Sequence, residues 1–107
     1  MKTSALNVTD PNSRDVNKIW LTSGELAVNT LVSSKGGILG AIVVTTDGSN
    51  DALCVVYDST DATGKIIARC PVKGADGLGG IVIPKRRDIG LYVTISGSGA
   101  KYIVDYL

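Results

Sequence analysis

The residues best placed to do chemistry lie between Cys54 and Cys70, in CVVYDSTDATGKIIARC. The stretch holds a Gly64-Lys65 pair, two aspartates and a cysteine at each outer edge. A Walker-type phosphate loop requires a glycine five residues before Gly64 and a Ser or Thr after the lysine to reach magnesium. Ser59 and Ile66 occupy those positions, and no helix follows to offer its N-terminus to phosphate. Asp47, Asp51, Asp58 and Asp61 carry the hard oxygens that calcium takes, but the EF-hand spacing is absent. Aspartate is also a routine turn former, because its carboxylate accepts from nearby backbone. The reading is turn chemistry, with no metal and no cofactor.

If 51–57 and 65–71 form a hairpin centred near Asp61 or Ala62, Cys54 and Cys70 fall nearly opposite each other on one face. A bridge then requires Cα atoms within about 7 Å, and a reducing compartment disfavours it. Two small buried hydrophobes is the preferred reading. The chain has no histidine, which removes Cys–His and Ser–His–Asp nucleophiles and all histidine metal sites. With one glutamate, Glu25, and aspartates mostly at turns, a glycosidase carboxylate pair is not expected either. The chain reads as a non-enzyme.

The remaining candidates concern contact. Lys85-Arg86-Arg87 is the densest positive charge; it reads as a solvated turn or as an electrostatic contact to an acidic partner. Trp20, the only tryptophan, suits a subunit contact and a core anchor equally. Strand alternation puts Tyr102 and Tyr106 on one face. Trp20, Lys85, Arg86, Arg87, Tyr102 and Tyr106 are the interface candidates.

These residues need elements to hold them. The chain has 107 residues, enough for one domain and one core. Val, Ile and Thr number 31, against one Glu, one Met and no Gln. β-branched residues suit a pleated surface, and 13 glycines with many Ser, Asn and Asp supply turns. Residues 1–16 read as a polar N-terminal arm, and 17–107 as a single all-β domain. Its expected strands are 17–22, 25–29, an extended 30–35, Ile38–Thr46, Asp51–Asp58, Lys65–Val72, a short Ile81–Pro84 ended by the proline, Ile89–Ser96 and Ala100–Leu107. Lys73–Gly80 reads as a glycine-rich loop, Asp47–Asn50 and Gly97–Gly99 as tight turns. Eight or nine short strands at this spacing predict a small antiparallel β-sandwich, jelly-roll-like or Greek key, with an up-and-down barrel second.

Net charge is +1 with Lys and Arg scattered, so no nucleic-acid partner is expected. No apolar run reaches the roughly 18 residues of a membrane helix, so no membrane partner is expected. The N-terminal stretch lacks an apolar h-region, which predicts a protein that stays where it is made. Leu53, Val55 and Tyr57 alternate with Ala52, Cys54 and Val56, so both faces of that strand are apolar. A lone sandwich must cover such a second face, and packing against symmetry mates does so.

Four segments carry a resemblance: Gly37–Val44 (GILGAIVV), the DGSND turn, Val55–Ile67 (VVYDSTDATGKII), and the closing DIGLYVTISGSGAKYIVDY. A hydrophobic-Tyr-Asp hairpin closing on Gly, a late Gly-Leu-Tyr-Val strand and a Gly-bounded turn into a Tyr-rich terminal strand resemble small structural proteins of tailed bacteriophage virions. The resemblance covers most of 36–107 and is loose in 1–35. It implies a compact β-sandwich, often trimeric, that decorates the capsid or builds neck, tail or fibre parts. The expectation is a capsid decoration (cement) protein, made in the bacterial host cytoplasm and residing in the virion. Its partners would be its own copies, as a homotrimer, and the major capsid protein or other virion proteins, with the arm and a loop at 74–80 or 85–88 meeting the shell. A neck, tail or head-fibre component is the alternative. A carbohydrate- or receptor-binding module is a third reading, and would need the Tyr102 and Tyr106 rings exposed.

Overall fold

The computed structural model describes residues 20–107. The expected arm at 1–16, and the first residues of the domain, lie outside that range. Eight strands follow one another: β1 (Leu21–Thr22), β2 (Thr30–Ser33), β3 (Gly37–Thr45), β4 (Ala52–Asp58), β5 (Lys65–Val72), β6 (Leu78–Arg87), β7 (Leu91–Ser96) and β8 (Lys101–Tyr106). A 3-10 turn, Gly74–Asp76, precedes β6.

All pairings are antiparallel, in two four-stranded sheets of order β1-β8-β3-β6 and β2-β7-β4-β5. β1 pairs with β8, β2 with β7, β3 with β6 and β4 with β5. The chain is thus one long hairpin, closed at the β4–β5 turn and rolled until β8 meets β3 and β7 meets β4. This is the strand order of a jelly roll, the eight-stranded double Greek key. The stretch from Cys54 to Cys70 is the closed tip of that hairpin, and the two cysteines sit directly opposite each other in its register.

Alternation builds the core. Leu39, Ile42, Val44, Tyr102 and Val104 point inward from the first sheet. Cys54, Val56, Ala68, Cys70, Leu91 and Val93 meet them from the second. The segment 25–29 is not a strand: only Leu26 bridges, to Tyr102, and β2 starts at Thr30.

Two expected boundaries are corrected. β6 starts at Leu78, inside the expected 73–80 loop and not at Ile81, and it does not stop at Pro84 but continues to Arg87. Pro84 lies in a bulge, where Lys85 opposes Leu39 and Val82 opposes Ala41, on an edge strand. At such a place the missing N–H of proline costs no ladder bond. Lys85-Arg86-Arg87 is therefore strand, and the turn lies at 88–90. Likewise Asp47–Asn50 and Gly97–Gly99 do not close hairpins. Each carries the chain from one sheet to the other. Gly97 takes φ +112° there, and a Cβ at this position would overlap the Asp51 carbonyl, so only glycine fits.

Polar side chains hold these crossings. The Asp58 carboxylate accepts from the backbone N–H groups of Asp88 at 2.9 Å, Ile89 at 2.8 Å and Gly90 at 3.3 Å. At the other end Asp51 Oδ1 accepts from Gly74 N at 2.8 Å, and Thr46 Oγ1 donates to Gly74 O at 2.7 Å. Burial alone would raise the Asp58 carboxyl. The three N–H donors, with the nearby Lys65 charge, outweigh it and hold the carboxyl below its ordinary 3.8.

The sign of that shift fixes a pH dependence. A depressed folded-state value contributes stability above the unfolded-state value, and the contribution is lost as pH falls through the folded one. Asp58→Asn should lower stability at pH 7 by about 1–3 kcal/mol. The difference from the natural chain should shrink below pH 3.8, as read by urea midpoints over a pH series. A gap that stays constant down to acid would disprove the role of the charge.

Candidate interaction surfaces

The acidic turns spend their oxygens on their own backbone. Asp47 Oδ1 accepts from Ser49 N and Asn50 N at 2.9 and 2.8 Å. Asp61 Oδ1 accepts from Thr63 N at 2.9 Å. This is the turn chemistry that the residue types imply. Among the described residues no three carboxylates or thiols lie close enough to share a cation, and no helix is long and apolar enough to cross a membrane.

Cys54 and Cys70 are both free and buried. Burial, and then the neighbouring Cys70, pushes the Cys54 thiol up to about 12. Burial also raises Cys70. At neutral pH neither sulfur is a nucleophile. A thiol–disulfide reagent should label the native chain only as fast as it opens, and both thiols should react at once in urea. Immediate labelling without denaturant would contradict the burial.

The surfaces with most to offer are the outer faces of the two sheets. On the first sheet, the rows Thr22–Asp105–Ala41–Val82 and Ile103–Val43–Gly80 point outward. Val82 is 80% exposed. Trp20 lies across Gly40, the residue bulged out of β3. A Cβ on Gly40 would overlap the Cζ3 atom of the indole, so the bare backbone makes the seat of the ring. Trp20, Gly40, Ala41, Val82, Pro84 and Asp105 line an open groove of about 260 Å³.

On the second sheet, the row Leu31–Tyr92–Tyr57–Ile66 runs across all four strands. The Tyr57 and Tyr92 rings lie tilted, with centroids 6.3 Å apart, an arrangement favourable for aromatic pairs. Beside it run Thr94–Val55–Arg69 and Ser96–Leu53–Pro71. Val55 is buried yet lies outside the inter-sheet core, because its neighbours on this outer face cover it.

The interface candidates divide. Trp20 is on the first outer face, and it is not a core anchor. Lys85 and Arg86 are exposed, and Arg86 Nε pairs with Asp88 at 2.9 Å. Arg87 and Tyr102 are corrected: they are interior groups, 2% and 1% exposed. The Arg87 guanidinium donates to Lys35 O and, at 2.6 Å, to Leu107 O, and lies 5.5 Å from the Tyr106 ring centroid. It points inward because strand alternation continues through β6 where a turn was expected. Burial pulls its pKa down, while Tyr106 and Asp58 oppose that. Tyr102 packs in the core and its hydroxyl donates to Val28 O at 2.8 Å. Tyr106 is half-buried against the core. The exposed Tyr102–Tyr106 platform that a carbohydrate module requires is not present.

Sequence reasoning missed Gly40, Val82, Asp105 and Arg69. The alternation of Leu53, Val55 and Tyr57 did reveal the second outer face. Val82 was hidden because only the register decides which residue of Ile81-Val82-Ile83 points out. No protein-family model matches the chain, and no curated protein matches it.

Trp20 reports on its own groove. Gly40→Ala should lift the indole from its seat and shift its emission to the red, with the fold retained in far-UV circular dichroism. Unchanged emission would mean that the ring does not rest on Gly40.

Proposed function

We propose that this chain is a non-enzymatic structural protein of a tailed-phage virion, a decoration protein that packs as a symmetric oligomer, a trimer, on the head. The observation that carries the proposal is the pair of apolar outer faces. A jelly roll already has its core between the sheets; a second and third apolar surface have no use in a chain that works alone. Trp20, Val43 and Val82 on one side and Leu31, Tyr57, Tyr92 and Ile66 on the other supply surface for neighbours. The resemblance of 36–107 to small virion proteins gives the setting.

The mechanism is interfacial. A protein that binds an assembled lattice and not its loose subunits stabilises the lattice by mass action. An oligomer makes several weak contacts at once, and each raises the effective concentration of the next. The exposed Lys85 and Arg86, next to the 88–90 turn, are suited to steer the approach to an acidic shell surface. A neck, tail or head-fibre position would use the same two faces.

Phage heads made without this chain should bind the purified protein in co-sedimentation. Saturated heads should release DNA at a higher temperature than bare ones. Binding to tails or necks alone would move the protein to the alternative position. Binding to no part of the particle would remove the virion reading.

A further inference from the structure

β6 is the end strand of the first sheet, and among the described residues nothing pairs with its outer side. Its inner side faces β3. Thr46 N donates to Gly77 O at 2.9 Å, and the register runs unshifted from Thr45–Leu78 to Ala41–Val82. Bonded and non-bonded pairs alternate along an antiparallel ladder, so Gly79 and Ile81 spend their N–H and C=O groups on β3. Those of Leu78, Gly80 and Val82 point away from the sheet. By alternation the same three residues share its outer face, where Leu78 is 61% and Val82 80% exposed. Natural edges are blunted by shortness, bulges, proline or charge. β1 has two residues, and β2 has four with a register shift. β5 carries Pro71 and a register shift opposite Val56 and Tyr57. β6 has Pro84 in its bulge, then Lys85 and Arg86, but Leu78–Val82 has none of these devices. Its middle is bare backbone, because a Cβ on Gly80 would meet the Ile42 carbonyl.

An open edge of this kind takes an extended strand, and the run is complementary to itself. Its three outward backbone positions are symmetric about Gly80. A second copy turned end for end matches all of them: Leu78 with Val82, Gly80 with Gly80, and Val82 with Leu78. Each such pair exchanges both N–H···O bonds. A shift of two residues towards Pro84 sets a residue without an N–H in the ladder. A shift the other way runs into the 3-10 turn at Gly74–Asp76. On the outer face Leu78 and Val82 meet each other across the seam as cross-strand apolar pairs. The flanking charges agree. Asp76 precedes the run and Lys85 follows it, both exposed, so antiparallel pairing brings Asp76 of each copy to the Lys85 end of the other. Lys73 lies farther out, beyond the 3-10 turn, and Arg86 is paired with Asp88. We infer that two copies of this chain pair antiparallel through residues 78–82 of β6, about a two-fold axis at Gly80, and so join their first sheets into one. The contact is isologous and closes on itself, because each copy has one such edge. It stands apart from the shell proposal and from three-fold packing, since it uses the edge of a sheet and not an outer face. Single copies paired in this way run as two chains, and paired trimers as six.

Cross-linking that depends on register tests it. Leu78→Cys and Val82→Cys replace exposed side chains, while Cys54 and Cys70 are buried and stay out of the reaction. Across the axis, position 78 of one copy faces position 82 of the other. Two copies of position 78, or of position 82, are four residues apart, about 13 Å along a strand. A mild oxidant should therefore join the two variants when they are mixed and leave each one alone unjoined. By light scattering the natural chain should run at about 22 kDa, or about 67 kDa if trimers pair, two or six times the 11.1 kDa of one chain. Val82→Lys adds a charge of the kind that blunts edges. It should halve that mass, with the fold retained in circular dichroism. A natural chain of one or three copies at millimolar concentration, equal cross-linking of the unmixed variants, or an unchanged mass for Val82→Lys would overturn the inference. If Val82→Lys lost head binding with no change of mass, the edge would belong to a strand of the shell, which overturns it as well. A halved mass in a protein whose natural form binds no heads would keep this contact and remove the virion reading.

Discussion

The buried carboxylate of Asp58 holds together a chain that keeps changing sheets. Only β4 and β5 are consecutive strands that pair with each other; every other connection crosses the sandwich. A crossing loop has backbone N–H groups that no strand can satisfy, and leaving them unpaired where water is excluded costs as much as losing hydrogen bonds. Asp58, at the end of β4, takes three of them from the β6–β7 crossing. Arg87, at the end of β6, ties that strand to Lys35 and Leu107. Asp51, Thr46 and Gly74 do the same work at the opposite end. With the ends fixed, the register of the sheets follows, and with it which residues face out.

That register separates two populations of apolar side chains. Ile42, Val44, Val56 and Val93 fill the space between the sheets. Val43, Val82, Tyr57 and Tyr92 face away from it. Turns rich in Asp, Ser and Gly supply polarity at the ends, so the molecule is polar at its poles and apolar on its flanks. Asp47, Asp51, Asp58 and Asp61 accept from backbone N–H groups, the two thiols are in the core, and the groove beside Trp20 is open.

The sequence made the β class and the β4–β5 hairpin legible, because β-branched residues, alternation and turn residues act locally. The opposition of Cys54 and Cys70 followed from counting outward from the Asp61 turn. Whether a turn returns the chain to its own sheet or to the other is not local: Asp47–Asn50 and Gly97–Gly99 look like hairpin turns and are crossings. The same limit hid the direction of Arg87 and Tyr102. A basic residue and an aromatic near the end of a chain read as surface until the register turns them inward. Trp20 was open between core and contact because its seat is the missing side chain of Gly40, twenty residues away.

The place of β8 has a consequence for how the molecule comes to be. It is the last strand of the eight, yet it lies between β1 and β3. Until it arrives the first sheet consists of β3 and β6 alone, and β1 has no partner. The local β4–β5 hairpin closes first at small entropic cost, while the pairing of Leu21 with Tyr106 spans nearly the whole domain. A growing chain therefore exposes the unfinished edge of β3 until its final strand is inserted, and intermediates with such open edges are those most prone to pair with the wrong neighbour.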